Sequence, residues 1–293
     1  MSTLQVFDTL TRSHADLERR APLGDGLVAA LWQRNRLEDT VYRRPGHHTL
    51  SLYLEGGFGI VRRGLAEQRG APDKLCILPA EHESYWQING RIRFLHLYFT
   101  PEQFGALAVT MLDREPRELA LNDRTYMDDE RLAAQCRRLA ALDWRDADGR
   151  LTGNALGHEA LAHLMLTQTG RRRPLVVKGG LAPAQRRRVR ELVEARLDTA
   201  LTVAELAAEL ALSEYHFARM FRASFGLPPH AWIMRRRLER AREALARPDA
   251  PLADVAAACG YASASHLANR FRAALGVTPG DYRRWATGSA GAR

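Results

Sequence analysis

Ser213–Pro229 reads SEYHFARMFRASFGLPP, and Ser263–Pro279 reads SASHLANRFRAALGVTP, the same design repeated at an offset of 50 positions. Ser, His, Ala, Phe, Arg, Ala, Gly and Pro recur in register, from Ser213/Ser263 to Pro229/Pro279. Each copy opens on a serine suited to a helix N-cap and stops at a glycine. Between them, Phe217, Phe221 and Phe225 in the first copy and Leu267, Phe271 and Leu275 in the second recur every four residues. That spacing predicts one buried stripe per helix. The opposite face is left to Tyr215, Arg219 and Arg222 in one copy and to Ser265, His266 and Asn269 in the other.

A shorter apolar helix is predicted just upstream of each copy, over Val203–Leu210 and Leu252–Cys259. Thr202 with Glu205 makes a capping box for the first, and Pro251 opens the second. The joins are only Ala211-Leu212 and Gly260-Tyr261-Ala262. Short helix, tight turn and second helix with a polar face define a helix-turn-helix unit, here in tandem. Pro229–Ala246 lacks Gly and internal Pro, so a helix of about 27 Å joins the two units. Ala211 stands where its repeat partner is Gly260, and alanine tolerates positive φ poorly; a slightly different turn or a small stability cost is expected there.

On these residues the C-terminal part resembles the DNA-binding domain of AraC/XylS-type bacterial transcription regulators. The matching positions are Leu206-Ala207, Ser213, Phe217, Arg219, Phe221 and Gly226, then Arg237-Leu238 and Ala241 of the linking helix. In the second unit they are Val255-Ala256, Gly260-Tyr261, Ser263, Leu267, Arg270-Phe271, Gly276, Pro279 and Tyr282-Arg283. The match runs from Leu201 to Trp285. It implies double-stranded DNA as partner, with the two recognition helices in adjacent major grooves about 34 Å apart. By the same resemblance Tyr215, Arg219, Ser265, His266 and Asn269 read bases. Arginine on guanine and asparagine on adenine are the pairings that bidentate geometry favours. Arg222, Arg235, Arg236, Arg272 and Arg284 are expected on phosphate.

The distribution of charge agrees. Residues 1–170 hold 21 Lys and Arg against 23 Asp and Glu, whereas residues 171–293 hold 22 against 11, so the net +9 belongs to the C-terminal part. Arginine supplies every basic residue except Lys74 and Lys178, so arginine abundance alone says little. No apolar run approaches a membrane span, and the N-terminus lacks the apolar core of a secretory signal, so a soluble cytoplasmic protein is expected. Cys76, Cys136 and Cys259 are too few and too far apart for a zinc cluster or a disulfide framework.

Between Leu27 and Pro101 the pattern changes to period two, over LVAALW, TLSLYL, FGIVRR, KLCILP and RIRFLHLYF, with glycine-rich turns between. Many short strands indicate an antiparallel sandwich or barrel. Arg44-Pro45-Gly46, the following strand, Leu78-Pro79 and the strand ending Leu97-Tyr98-Phe99 resemble the cupin-type effector domain of the arabinose-responsive family member. The expected fold class is therefore α+β and multidomain. A cupin-like β-barrel with following helices precedes an all-α domain of two helix-turn-helix units joined by a long helix. Helices are expected at Pro101–Leu112, Asp128–Leu142 and Leu151–Gln168, the last two suited to a dimer contact in the family. Residues 1–170 form the effector and dimerisation domain, 171–182 the linker and 183–293 the DNA-binding domain.

No cofactor or metal is expected. His47 and His48 are adjacent, so on a strand they point to opposite faces, and Pro79-Ala80-Glu81-His82 lacks the glycine of a metal-binding cupin. An organic effector in the barrel is the expected use, with Phe94, His96 and Tyr98 on one face of their strand and Arg44 at a strand entrance as lining candidates. The chain is thus read as a non-enzymatic, effector-responsive and homodimeric transcription regulator. The resemblance implies an activator, with RNA polymerase as a further partner. The competing readings are an architectural or abundance-controlled DNA binder whose barrel only dimerises, and a metal-dependent cupin enzyme fused to a DNA-binding domain.

Overall fold

Period-two alternation from Leu27 to Phe99 is realised as strands whose inward residues are large and apolar. The computed structural model describes residues 4–65, 67–171 and 179–288. The chain divides into two units, Met1–Phe104 with Ala120–Arg171, and Gly105–Leu119 with Arg172–Arg293. Most of the expected linker, residues 172–178, lies outside the described residues.

In the first unit a helix, α1 (Gln5–Arg12), precedes strands β1 (Asp16–Gly24), β2 (Leu27–Arg34), β3 (Glu38–Arg43), β4 (His48–Gly56), β5 (Ile60–Arg62), β6 (Leu75–Leu78), β7 (Glu83–Ile88) and β8 (Ile92–Phe99). After α2 (Pro101–Leu112) and a single 3₁₀ turn at Pro116–Glu118 come β9 (Leu119–Leu121) and β10 (Arg124–Met127). Helices α3 (Glu130–Ala141) and α4 (Ala147–Thr167) and strand β11 (Thr169–Arg171) follow. A six-stranded antiparallel sheet has the order β1-β2-β8-β4-β6-β10, and a second sheet has the order β3-β7-β5. Trp32, Tyr53, Phe94 and Tyr98 from the first sheet and Tyr42, Trp86 and Ile88 from the second share one core. Helix α1 adds Val6 and Leu10 to that core and sets the ring of Phe7 edge-on to Trp32 at 5.0 Å. Each such buried side chain contributes on the order of 1.5–3 kcal/mol. Helix α4 begins four residues before the expected Leu151 because the Asp146 carboxylate accepts from the Gly149 N–H at 2.5 Å and caps it there.

The second unit holds α5 (Pro183–Ala195), α6 (Val203–Glu209), α7 (Glu214–Phe225), α8 (Pro229–Leu245), α9 (Leu252–Ala258), α10 (Ala264–Leu275) and α11 (Pro279–Ala286). Val189, Val193, Leu206, Phe217, Phe221, Phe225 and Trp232 form the core of its first half. Ala106 and Val109, fully buried, belong to this same core, so residues 105–119 pack with the C-terminal helices. Polar contacts fix the segment. Arg186 Nη2 donates to the Asp113 carbonyl at 2.8 Å, Arg190 Nη1 to the Asp113 carboxylate at 2.8 Å, and Arg117 Nη2 to the Gly179 carbonyl at 2.7 Å.

The two tight turns are alike. Leu212 N–H donates to the Ala207 carbonyl at 3.0 Å, and Tyr261 N–H to the Ala256 carbonyl at 2.9 Å. Ala211 takes φ 54° and Gly260 φ 73°, so the alanine adopts the left-handed conformation and the turn is unchanged. The expected cost is thus conformational. A Cβ on Gly260 would lie 2.1 Å from the Leu197 carbonyl oxygen, whereas Ala211 is exposed. Left-handed backbone costs an L-residue about 1–2 kcal/mol, and glycine returns about 0.4–1 of that through the unfolded chain. Ala211→Gly is expected to stabilise the C-terminal unit by about 0.5–1 kcal/mol and Gly260→Ala to destabilise it by more than about 2. Thermal unfolding of the two variants checks this, and a lower Tm for Ala211→Gly contradicts it.

Candidate nucleic-acid interface and inner cavity

Serine caps fix where each recognition helix begins. The Ser213 hydroxyl accepts from the His216 N–H at 3.3 Å, and the Ser263 hydroxyl from the His266 N–H at 3.1 Å. The stripes that follow are buried, Phe217, Phe221 and Phe225 completely and Leu267, Phe271 and Leu275 to 2% or less. Burying positions four apart turns the intervening positions outward. On α7, Tyr215 is 81% exposed and Arg219 is exposed one turn on. On α10, Ser265 and Asn269 occupy the equivalent exposed positions. His266 is half-buried, its ring edge-on to Tyr261 at 5.5 Å. The five residues expected to read bases thus lie on two helix faces of the same construction.

The five arginines expected on phosphate separate into two groups. Arg222 and Arg272 are exposed and make no ion pair among the described residues. Arg235 pairs with Glu239 at 3.0 Å, Arg236 with Glu194 at 2.5 Å and also with Glu239, and Arg284 with Asp281. Those three guanidiniums already have carboxylate partners, which a phosphate must replace.

A helix-turn-helix domain model matches residues 206–284, which are helices α6 to α11. An AraC-like transcription regulator of Streptomyces antibioticus is 42% identical over 83 residues, which is 28% of this chain and 27% of that protein. The transcriptional regulator ArgR of Pseudomonas aeruginosa is 28% identical over 178 residues, 58% of this chain and 54% of its own. Among solved structures, the DNA-binding domain of AdpA in complex with a target DNA is 30% identical, with a TM-score of 0.34 over 36% of this chain and 95% of that one. The chain spans between about a quarter and about half of these two curated relatives. Residues 206–284 are a tandem helix-turn-helix DNA-binding domain. The domain is of the AraC type.

In the first unit, a cavity of about 40 Å³ between the facing sheets is lined by Arg34, Tyr42, Ser51, Trp86, Phe94 and His96 among others. Of the residues expected to line an effector site, Phe94 and His96 reach it. Tyr98 shares their strand face, but its hydroxyl lies 3.2 Å from Trp32 Nε1 and 3.0 Å from His96 Nδ1 in the surrounding core. Arg44 lies at the surface, its side chain 79% exposed and its Nε 3.1 Å from the Glu83 carboxylate. Sequence reasoning missed Arg34, Tyr42 and Trp86. Arg34 had a signal: it continues the alternation Ala30, Trp32 along β2, beyond the point where the apolar run ends.

His47 and His48 do face opposite ways, His47 edge-on to Tyr98 at 5.4 Å and His48 against Phe99 at 5.1 Å. His47 Nε2 accepts from the Val6 N–H at 3.2 Å, and His48 Nδ1 from the Ala80 N–H at 3.0 Å. Among the described residues, no group of three or more His, Cys, Asp or Glu is placed to hold a metal ion. No helix of the described residues is long and apolar enough to cross a membrane. Burial pushes the thiols of Cys76 and Cys136 up to about 12, which suppresses the reactive thiolate.

Burial also pushes His96 down to about 3, and it lowers His47 and His82. These imidazoles stay neutral in the folded state and take up protons on unfolding below their ordinary value near 6.5. The contribution of His96 is full above about pH 6.5 and is lost as pH falls from there towards about 3, and His47 and His82 act in the same direction. The first unit is expected to lose Tm across that window, and His96→Gln to flatten the slope. Unfolding temperatures measured from pH 7 to pH 4 check this; an unchanged slope in the variant contradicts it.

Proposed function

We propose that this protein is a sequence-specific DNA-binding transcription regulator, acting as an activator in the cytoplasm, with α7 and α10 entering successive major grooves. The observation that carries the reading is the pair of recognition helices. Both are capped by serine and pinned by a buried stripe, and each presents an exposed polar residue pair at identical repeat positions, Tyr215 with Arg219 and Ser265 with Asn269. Helix α8, about 26 Å long, separates the two units and suits boxes one helical turn apart. Arg219 and Asn269 are proposed to select guanine and adenine, with Tyr215, Ser265 and His266 completing base contact. Arg222 and Arg272 hold phosphate first, and Arg235, Arg236 and Arg284 contribute by exchanging carboxylate for phosphate. The domain boundaries proposed are 1–170, 171–182 and 183–293, with residues 105–119 completing the core of the last.

The first unit is proposed as a cupin-like effector and dimerisation domain, the effector contacting Phe94 and His96, with Tyr98 supporting His96 and Arg44 outside the cavity. Activation would bring RNA polymerase as partner. That the relatives matched are transcription regulators supports regulation rather than catalysis. The second reading, a DNA binder controlled by abundance, draws on the size of the cavity: about 40 Å³ is far below the roughly 300–1,000 Å³ of an organic ligand site. Promoter activity that follows protein concentration alone would favour it.

Genome-wide mapping of bound fragments at defined salt is expected to give a few strong sites sharing two boxes about one helical turn apart. Diffuse binding without a motif overturns the sequence-specific reading. At one such site Arg219→Ala should cost about 1–3 kcal/mol and relax preference at a single base position. Arg222→Ala should weaken all sites alike and lower the salt dependence. Equal weakening of every site by Arg219→Ala would reassign it to phosphate.

A further inference from the structure

The cavity between the two sheets contains a charge without a full set of partners. Arg34 is 3% exposed at the end of β2, and a guanidinium has five N–H donors to satisfy. Its hydrogen bonds among the described residues both leave from Nη2, to the Glu38 carboxylate at 2.5 Å and to the Thr40 hydroxyl at 2.8 Å. Nε is buried with no partner. A buried donor of a charged group left in that condition is costly, and an acceptor brought to it is correspondingly favoured. Arg34 lines the cavity together with Tyr42 and His96, and its charge is felt by both. Strand pairing sets Arg34 beside Ile92, and its partners Glu38 and Thr40 beside Ile88 and Trp86, so an apolar wall adjoins the charge.

Resting on the effector reading of this domain, we propose that the cavity is a binding site for a compact monocarboxylate of two or three carbons, whose carboxylate pairs with the incompletely partnered guanidinium of Arg34 and whose short apolar end lies against Trp86 and Phe94. Three features select this class. Among the described residues that line the cavity, Arg34 is the one strongly basic group, and a charged donor favours a charged acceptor. His96 adds no charge, because burial keeps its ring neutral. The volume, about 40 Å³, has room for roughly three water-sized groups, which admits acetate or propionate and excludes a ring with substituents. Glu38 occupies Nη2 of the same guanidinium and is therefore an internal competitor for its charge.

The test uses the full chain with acetate and propionate as probes, and acetamide and propionamide as neutral isosteres at matched ionic strength. Binding is read by calorimetry and by the indole fluorescence that Trp86 contributes. The carboxylates are expected to bind at least about tenfold more tightly than the amides, and R34Q to abolish that preference. Should R34Q fail to fold, E38Q decides: removing the competitor is expected to tighten carboxylate binding several-fold and leave the amides unchanged. Equal binding of acids and amides, no binding of either acid, or an E38Q that weakens the acids overturns the proposal. DNA affinity measured on a mapped site with and without propionate is a separate readout. Propionate binding with unchanged DNA affinity keeps the ligand class and removes the effector reading. A DNA response to a neutral compound without carboxylate binding removes the ligand class and keeps the effector reading.

Discussion

Phenylalanines spaced four apart on α7 constrain the rest of the DNA-binding unit. Phe221 and Phe225 stack nearly parallel at 4.0 Å, Phe217 lies 5.5 Å from Phe221, and Trp232 closes the row edge-on to Phe225 at 4.9 Å. Truncating one such ring typically costs about 3–5 kcal/mol, a large part of the stability of a whole domain. The helix therefore has no freedom to rotate about its axis, and the direction in which Tyr215 and Arg219 project follows from the packing behind them. On α10 the same work is shared by Leu267, Phe271 and Leu275, with Tyr282 of α11 edge-on to Phe271 at 5.3 Å. What each helix presents outward is set by what it buries.

Arginine in this chain has three different physical roles, and composition cannot tell them apart. Arg219, Arg222 and Arg272 are exposed on the recognition helices. Arg186 and Arg237 tie segments together through backbone carbonyls, Arg237 Nε donating to the Leu197 carbonyl at 2.8 Å. Arg34 is enclosed among aromatic rings. Only position within an element separates these uses. For that reason the segregation of charge along the sequence pointed to nucleic acid, while the inventory of basic residues did not.

Legibility followed the strength of the local signal. The C-terminal helices were readable because caps, apolar spacing and terminal glycines coincide within one short segment, and because the repeat aligns the chain with itself. Strand β8 was readable for a different reason: Ile92 to Phe99 is a largely buried run of apolar and aromatic residues that follows the turn at Asn89-Gly90. Strand β1 was not, since DLERRAPLG is largely exposed and its register slips between Leu17 and Arg19 and again between Pro22 and Gly24, which destroys period two. Strands β3 and β7 are six residues each and polar at their edges, so Tyr42 and Trp86 became visible only once the strands paired. Arg34 was lost because a charge at the end of an apolar run reads as the end of the strand. Helix α2 was placed to the residue, yet nothing in its sequence said which core Ala106 and Val109 would enter.

That last placement has a consequence during synthesis of the chain. Val109 and Val189 share a core although 80 positions separate them, and the phenylalanines of α7 are made later still. At roughly 5–20 residues per second, the apolar face of Ala106 and Val109 waits some 4–16 seconds for Val189 to be made. Closing a contact over so long a stretch also makes nucleation of that core slower than its helical composition suggests. A segment with such an interval before burial is a natural point for chaperone capture or for pairing between neighbouring nascent chains.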